Sequence, residues 1–430
     1  MDVPTPVPTP GAPRRKVAVI GSGVAGLTAA YLLQRAYDVT LFEADDRLGG
    51  HAHTHDLPTP SGPVPVDSAF LVHNERTYPQ LTRLFRELGV RTFDTEMSMS
   101  VTCRGCGLQY AGGRGLRGLL PHPGAAARPR YLRLLTEVPR FHRLGRALAT
   151  APAGSDEPTL GEFLRLHGFD RYFTNHFVVP LVAAVWSCPA GQALHYPARY
   201  LMAFLANHGL LRVTGSPVWR SIEGGSRAYV ERAVKDLTAV RTSTPVRALT
   251  RHRDRVDVRA DGELLPFDAA VVAVHPDQAL RLLTDPTGDE RAVLGAIGYA
   301  PNRAVLHTDG SALPGRRSVR ASWNYLVDGC ATTGGAEVRI SYDVKRLQRL
   351  DIPGDCVVTL GDRPVRPGAA VAEMTYRHPV YTPASVAAQR RLPELDTART
   401  VYAGAYHGWG FHEDGCASGV RAAAALGVGW

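Results

Sequence analysis

Cysteine and lysine are scarce in this chain, and long apolar runs are missing. Six cysteines scattered over 430 residues do not make a disulfide framework, which fits a reducing compartment. The longest apolar run, Phe177 to Trp186, is interrupted by Pro180 and falls short of the roughly 20 residues that cross a bilayer. The opening stretch has no basic region followed by an apolar one, so the expectation is a cytoplasmic protein without a secretory leader. Its alternating prolines predict a flexible tail over 1–13. Lysine occurs only at Lys16, Lys235 and Lys345, so arginine carries nearly all of the net charge of +9. That balance favours anionic ligands or surfaces, but no nucleic-acid module accompanies it, and no nucleic acid is expected as a partner. Cys103 and Cys106 form a single C-x-x-C with no second pair or Cys/His set at zinc spacing. The reading is a glycine-rich hairpin turn, with no metal.

With 44% hydrophobic and 21% charged residues, the composition is that of a globular chain long enough for two domains. The apolar run Lys16 to Ile20 leads directly into Gly21-Ser22-Gly23-Val24-Ala25-Gly26. A strand running into G-x-G-x-x-G is the dinucleotide fingerprint. Gly21 permits the tight turn, Gly23 lets a pyrophosphate approach the backbone, and Gly26 lets the next helix pack closely. Helical spacing then runs over 24–35, and a second strand, Asp38 to Phe42, ends on Glu43, where this fold needs an acid for a ribose hydroxyl.

The fingerprint does not separate NAD from FAD. The residues after Glu43, through Arg47-Leu48-Gly49-Gly50-His51, resemble the R-x-G-G segment of the amine oxidase and phytoene desaturase superfamily of FAD enzymes. The resemblance implies FAD as cofactor, Arg47 as a clamp for the pyrophosphate, and Gly49 and Gly50 as points of close approach; a surface arginine in a glycine turn is the plainer alternative. It also implies a backbone contact at Val246 to the adenine side. From Gly404 to Gly419 it implies a loop and helix start against the flavin, with Asp414 on the ribityl or pyrimidine side, unless Glu413 and Asp414 only cap the last helix.

Further stretches resemble a narrower group, the flavin oxidoreductases associated with cyclopropane and other modified fatty acid synthesis. They are Gly49 to Thr54, Val66-Asp67 through Phe70, Asn74 to Pro79, Pro180 to Ser187, Asn207 to Leu211, Trp219, Gly224 to Ser226, Ala321 to Tyr325 and Gly404 to Gly415. Departures occur around Ser341 to Gln348 and at Val358 to Asp362, which leave the substrate less defined than the fold. The implied fold is α/β: a Rossmann-like FAD-binding domain (14–60, 215–290 and 390–430) interleaved with an α+β substrate-binding domain (61–214 and 291–389), amine oxidase-like.

No catalytic triad is needed where a flavin carries the electrons. The flavin-proximal candidates are His51, His53, Trp186, Tyr406 and His412. His51, His53 and His55 alternate and would share one face of a strand; the main reading is polar lining of the cleft, against a metal site or a covalent flavin link. Trp186, Trp219, Trp323, Tyr406 and Trp409 would form an aromatic wall, or simply core. From Arg128 to Leu148 an apolar stripe is surrounded by five arginines. That pattern suits a surface helix of the substrate domain, and also contact with an anionic membrane or entry of a lipid substrate. The leading function is hydride transfer at carbon of an apolar, fatty acyl-like substrate. A flavin amine oxidase, or a non-catalytic flavin-bound partner of a lipid methyltransferase, are the alternatives.

Overall fold

The computed structural model describes residues 14–152, 157–330 and 339–430; the tail expected over 1–13 lies outside the described residues. Five short, largely apolar runs build one parallel sheet, in the spatial order Ala239–Arg241, Asp38–Phe42, Lys16–Ile20, Ala269–Val272, Thr400–Tyr402. Every neighbouring pair in it is parallel. Side chains alternate across a strand, and Lys16–Ile20 uses both faces. Val17 and Val19 pack with Leu27 and Ala422, from the helices Val24–Leu33 and His412–Ala425. Ala18 and Ile20 pack with Leu249 and Val258 from the antiparallel meander Val246–Arg251, Val256–Ala260, Glu263–Phe267. A strand covered on both sides reads as a continuous apolar run, as this one does.

The chain leaves this layer and returns to it. Between the sheet strands it builds a seven-stranded sheet in the order Ala370–Val380, Gly298–His307, Val357–Leu360, Ile340–Asp343, Trp323–Val327, Met99–Cys103, Gln109–Gly112. All its pairs are antiparallel except Trp323–Val327 with Met99–Cys103. Beside it, the helices Pro129–Thr150 and Ala198–Asn207 enclose an apolar core with Tyr131, Phe141, Trp186 and Phe204 buried.

Buried polar groups tie the parts together. Ser226 occupies the cap position of helix Arg227–Val234, but its side chain does not cap the helix. Its amide and hydroxyl instead donate to Asp67, which also accepts from Thr54 Oγ1 at 2.6 Å and Gln348 Nε2 at 3.2 Å. Burial pushes the Asp67 carboxyl up to about 6, against these hydrogen bonds.

The contact between the first and last helices depends on small residues. A Cβ at Gly419 would stand 2.4 Å from the Ala25 carbonyl oxygen, and one at Gly415 2.6 Å from Val24 Cγ1. Gly419→Leu is therefore expected to destabilise the fold by about 1–3 kcal/mol or more through overpacking. Denaturant unfolding checks this; an unchanged midpoint contradicts the close helix approach.

Candidate active site

The strand Lys16–Ile20 delivers the chain into a turn that only glycine accommodates. Gly21 has φ +101°, and a Cβ there would lie 2.6 Å from the Ala273 carbonyl oxygen; at Gly26 it would lie 1.9 Å from that of Gly21. At Gly23 nothing stands within 4 Å of the same position. The start of helix Val24–Leu33 therefore opens onto free space, the geometry by which helix amides receive phosphate. Glu43 closes the turn from the next strand. Its Oε2 accepts from the Ser22 amide at 2.9 Å and the Ser22 hydroxyl at 2.5 Å, and its Oε1 from the Asp45 amide at 3.0 Å.

This turn forms one end of a cavity of about 1420 Å³, larger than the roughly 300–1,000 Å³ of a single small-molecule site. Gly21, Gly23, Glu43, Gly50, Val246 and Gly404 line it. Gly26, Arg47 and Gly49 stand behind the wall. Arg47 Nη1 donates to the Gly50 carbonyl at 2.9 Å, and Gly49 faces Ala52 and Val230. Asp414 is also off the wall. Its Oδ2 accepts from the Phe411 amide at 2.9 Å, so it caps the last helix, while Glu413 accepts from the amides of Gln80 and Leu81 at the start of helix Pro79–Glu87. Of the stretch that follows Tyr402, Gly404 to Tyr406 and Trp409 to His412 reach the cavity.

Away from the glycine turn much of the lining is apolar, with Leu134, Leu135 and Val138 from the long helix and Phe177, Leu181 and Val185 from the chain after it, although His142 of the same helix also lines the cavity with both ring nitrogens buried. The arginine-flanked stripe thus faces the interior: Tyr131, Leu134 and Phe141 are buried in the core of this layer. Trp186, Trp219, Trp323, Tyr406 and Trp409 all line the cavity. Trp186 is fixed by a bond from its Nε1 to the Trp409 carbonyl at 3.2 Å and by Ser187, which ends its helix at φ +52°. A left-handed, non-glycine residue at a helix end costs backbone strain, a feature found at functional sites.

Imidazoles surround the middle of the cavity. His51 and His378 have ring centroids 5.2 Å apart, and His412 stacks on Phe70 at 3.6 Å. Burial lowers His51 to about 4, with Arg47 adding to the effect. It also lowers His275 and His378 to about 3, helped by repulsion from His51, and takes His412 well below the ordinary value. All four are neutral at pH 7. His53 is one layer back, its Nδ1 2.9 Å from the hydroxyl of Tyr376, itself a lining residue. His53 packs against His55 with ring centroids 4.0 Å apart and planes tilted by 35°, while His55 bonds to Ser68. The three alternating histidines gather at Tyr376 and Ser68, whose hydroxyls lie 2.6 Å apart: His53 bonds the first, His55 the second, and the His51 ring packs against Tyr376 with centroids 5.1 Å apart.

A family model described as "Flavin containing amine oxidoreductase" matches residues 24–309. The chain belongs to that family. FAD is its cofactor, and the protein is a flavin-dependent oxidoreductase. Among curated relatives, coproporphyrinogen III oxidase of Mycobacterium leprae is 28% identical over 295 residues, 63% of this chain and 61% of that protein. Polyamine oxidase 5 of rice is 40% identical over 87 residues, 20% of this chain and 17% of the relative. These matches span less than two thirds of either relative. Solved structures with the same fold include cyclohexylamine oxidase from Brevibacterium oxydans (TM-score 0.69, 17% identity, 96% of this chain and 99% of that one). The conjugated-linoleic-acid-producing fatty acid isomerase from P. acnes is another (TM-score 0.66, 17% identity, 94% and 97%).

The flavoenzyme's residues fit the cofactor. The open position at Gly23 leaves room for the pyrophosphate, and Glu43 stands at the end of the second strand. His51 Nε2, Tyr406 Oη and His412 Nε2 are buried on the cavity wall without a partner among the described residues, as polar groups awaiting a ligand are. When bound, the flavin would supply the two-electron chemistry; the chain orients the reactants. The motif reading did not single out Tyr376, His378 or His275. His275 had a signal, since it follows the carboxyl end of strand Ala269–Val272, where ligands of open α/β sheets bind. Tyr376 and His378 lie on a strand of the other sheet, far from any fingerprint.

Gly23→Leu and Glu43→Ala are each expected to lower FAD occupancy, read from the ratio of flavin to protein absorbance, before they lower the melting temperature of the apoprotein. Full occupancy in either variant contradicts the placement of that residue. The lowered histidines set a pH dependence. The unfolded chain binds protons near pH 6.5 that the fold rejects until about pH 3 to 4, so stability present above pH 6.5 is lost as pH falls through this window. Denaturant unfolding between pH 7 and 4 measures the slope, and His378→Gln is expected to flatten it.

Proposed function

We propose that this flavoenzyme carries out a two-electron hydride transfer at carbon of a long apolar, fatty acyl-like substrate, as a dehydrogenase or desaturase. The observation that carries the reading is the make-up of the cavity. Among the described residues, Glu43 and Asp45, both at the glycine turn, are the only acidic residues that line it, and with them stand the apolar helix face and Arg212, Arg247, Arg281 and Arg377. An amine reaching the reacting centre as a cation would meet no compensating carboxylate in a low-dielectric space. An uncharged chain with an anionic head meets apolar walls and arginine.

The rim supports the same substrate class. Val213 and Val218, 75% and 61% exposed, flank the cavity together with Arg212. The same scaffold serves a fatty acid in the P. acnes isomerase. An apolar channel needs no nucleophile of its own, because orientation of the reacting carbon can contribute about 7–11 kcal/mol. None of the three lysines lines the cavity. Arg303, on strand Gly298–His307, pairs with Glu373 at 2.6 Å.

The test is a panel of acyl chains of increasing length beside primary amines and polyamines, followed by perturbation of the flavin spectrum on binding. Long acyl ligands are expected to bind and amines to bind poorly. Val138→Trp, which fills the apolar end, is expected to weaken long-chain ligands about tenfold or more and spare short ones. Tight amine binding that is unaffected by Val138→Trp would overturn the proposal.

A further inference from the structure

Four soft or borderline ligand atoms meet at the far edge of the seven-stranded sheet, outside the flavin cavity. Cys103 ends strand Met99–Cys103 and Cys106 lies in the turn that follows it. Cys330 lies three residues beyond Val327, the residue paired with Cys103 across the parallel contact. His176 comes from the single wide turn of π-helix, Thr174–Val178, of the helical layer. The Sγ atoms of Cys103 and Cys330 are 3.8 Å apart, Cys106 Sγ is 3.7 Å from His176 Nε2, and all four ligand atoms lie within 4.8 Å of one another. A sulfur–sulfur distance of 3.8 Å is far beyond the roughly 2.05 Å of a disulfide. It matches the edge of a tetrahedron around zinc, for which Zn–S near 2.3 Å and Zn–N near 2.0–2.1 Å give ligand separations of about 3.5–3.8 Å.

The surroundings hold these atoms in place. His176 Nδ1 lies 2.9 Å from the Tyr172 carbonyl, which fixes the proton on Nδ1 and leaves the Nε2 lone pair directed at the thiols. A carbonyl partner on the far nitrogen is the usual outer support of a metal-bound imidazole. The hairpin turn is drawn tight by Gly107 N–H to the Cys103 carbonyl at 3.0 Å and Cys103 N–H to the Leu108 carbonyl at 2.8 Å. Gly107 adopts φ +69°, and a Cβ at Gly105 would stand 3.1 Å from the Cys330 amide nitrogen. From the other side, Asn175 Nδ2 donates to the Cys330 carbonyl at 2.8 Å, and Arg128 Nη1 to the Cys106 carbonyl at 2.9 Å.

We propose that Cys103, Cys106, Cys330 and His176 form a Cys₃His site for one zinc ion that clamps the edge of the seven-stranded sheet to the helical layer. Four protein ligands close the coordination shell, so the site is structural and leaves no position for substrate. Three thiols lose their protons on binding, and the three thiolates with Zn²⁺ leave one net negative charge, beside the guanidinium of Arg128. The neighbour of His176 in the chain, Phe177, lines the apolar end of the cavity, so the clamp also sets the position of that wall.

The experiment is metal analysis of the untagged, flavin-loaded protein, grown with zinc and purified under reducing conditions. One zinc per chain is expected. The content is expected to fall to background in the Cys103→Ser/Cys330→Ser double variant and in His176→Phe, and to stay at one in Cys356→Ser, whose thiol lies outside the group. Growth with cobalt is expected to give the ligand-field bands of tetrahedral thiolate-bound Co²⁺, to the red of the flavin absorption. The wild-type measurements stand even if a variant fails to fold. A wild-type protein that carries no metal and takes none up from a zinc buffer, or a chain two hydrogens lighter because Cys103 and Cys330 have joined, would overturn the proposal, as would unchanged zinc in the folded double variant.

Discussion

The close approach of three backbones at the glycine turn sets the terms for the rest of the molecule. Gly21 lies against the Ala273 carbonyl and Gly26 against the carbonyl of Gly21, so the first helix cannot retreat from the sheet. Its amino end must face the space beside the carboxyl ends of the strands. The last helix, packed on the first through Gly415 and Gly419, then has one place to start, and the chain before it, from Gly404 to His412, is laid along the same space. The sheet is therefore discontinuous in sequence. The strands Ala239–Arg241, Ala269–Val272 and Thr400–Tyr402 complete a sheet begun more than 190 residues earlier, and the excursions between them build the opposite wall.

That wall carries more imidazole and guanidinium than carboxylate among the described residues. Burying His51, His275, His378 and His412 uncharged keeps four polar rings available without placing imidazolium cations in a low-dielectric space, while Arg212, Arg247, Arg281 and Arg377 also line the cavity, Arg377 paired with Asp277 at 3.4 Å. Acidic groups close to the cavity are engaged elsewhere, Asp414 with the Phe411 amide and Glu413 with the start of helix Pro79–Glu87. The result is a site that receives the flavin at one end and offers apolar surface with a weakly positive surround at the other.

Much of this was legible in the amino-acid sequence, for reasons that differ from element to element. The cofactor end could be read because its geometry is local: strand, glycines, helix, strand and acid follow one another within thirty residues, and the structure sets Gly21, Gly23 and Glu43 as that order requires. The five aromatic residues were open between an aromatic wall and ordinary core, and it is the fold that brings Trp186, Trp219 and Trp409 to the cavity. Other readings stopped where chain order and spatial order part. Arg47 was expected to face the pyrophosphate, but it braces the Gly50 carbonyl from behind. The C-x-x-C at Cys103 and Cys106 was read as a hairpin turn, which it is. Its neighbours Cys330 and His176 lie 227 and 73 residues beyond Cys103, on a sheet partner and a helix that no spacing rule connects.

The central claim, hydride transfer at carbon of an apolar chain, is tested most directly by anaerobic mixing. Oxidised and reduced enzyme are each combined with fatty acyl phospholipids, acyl thioesters and free acids while flavin absorbance and product mass are followed together. The account predicts a change of flavin redox state coupled to a two-hydrogen mass change in a long-chain substrate. Flavin that stays unchanged across the acyl panel but bleaches with amines or small aromatic metabolites would contradict it.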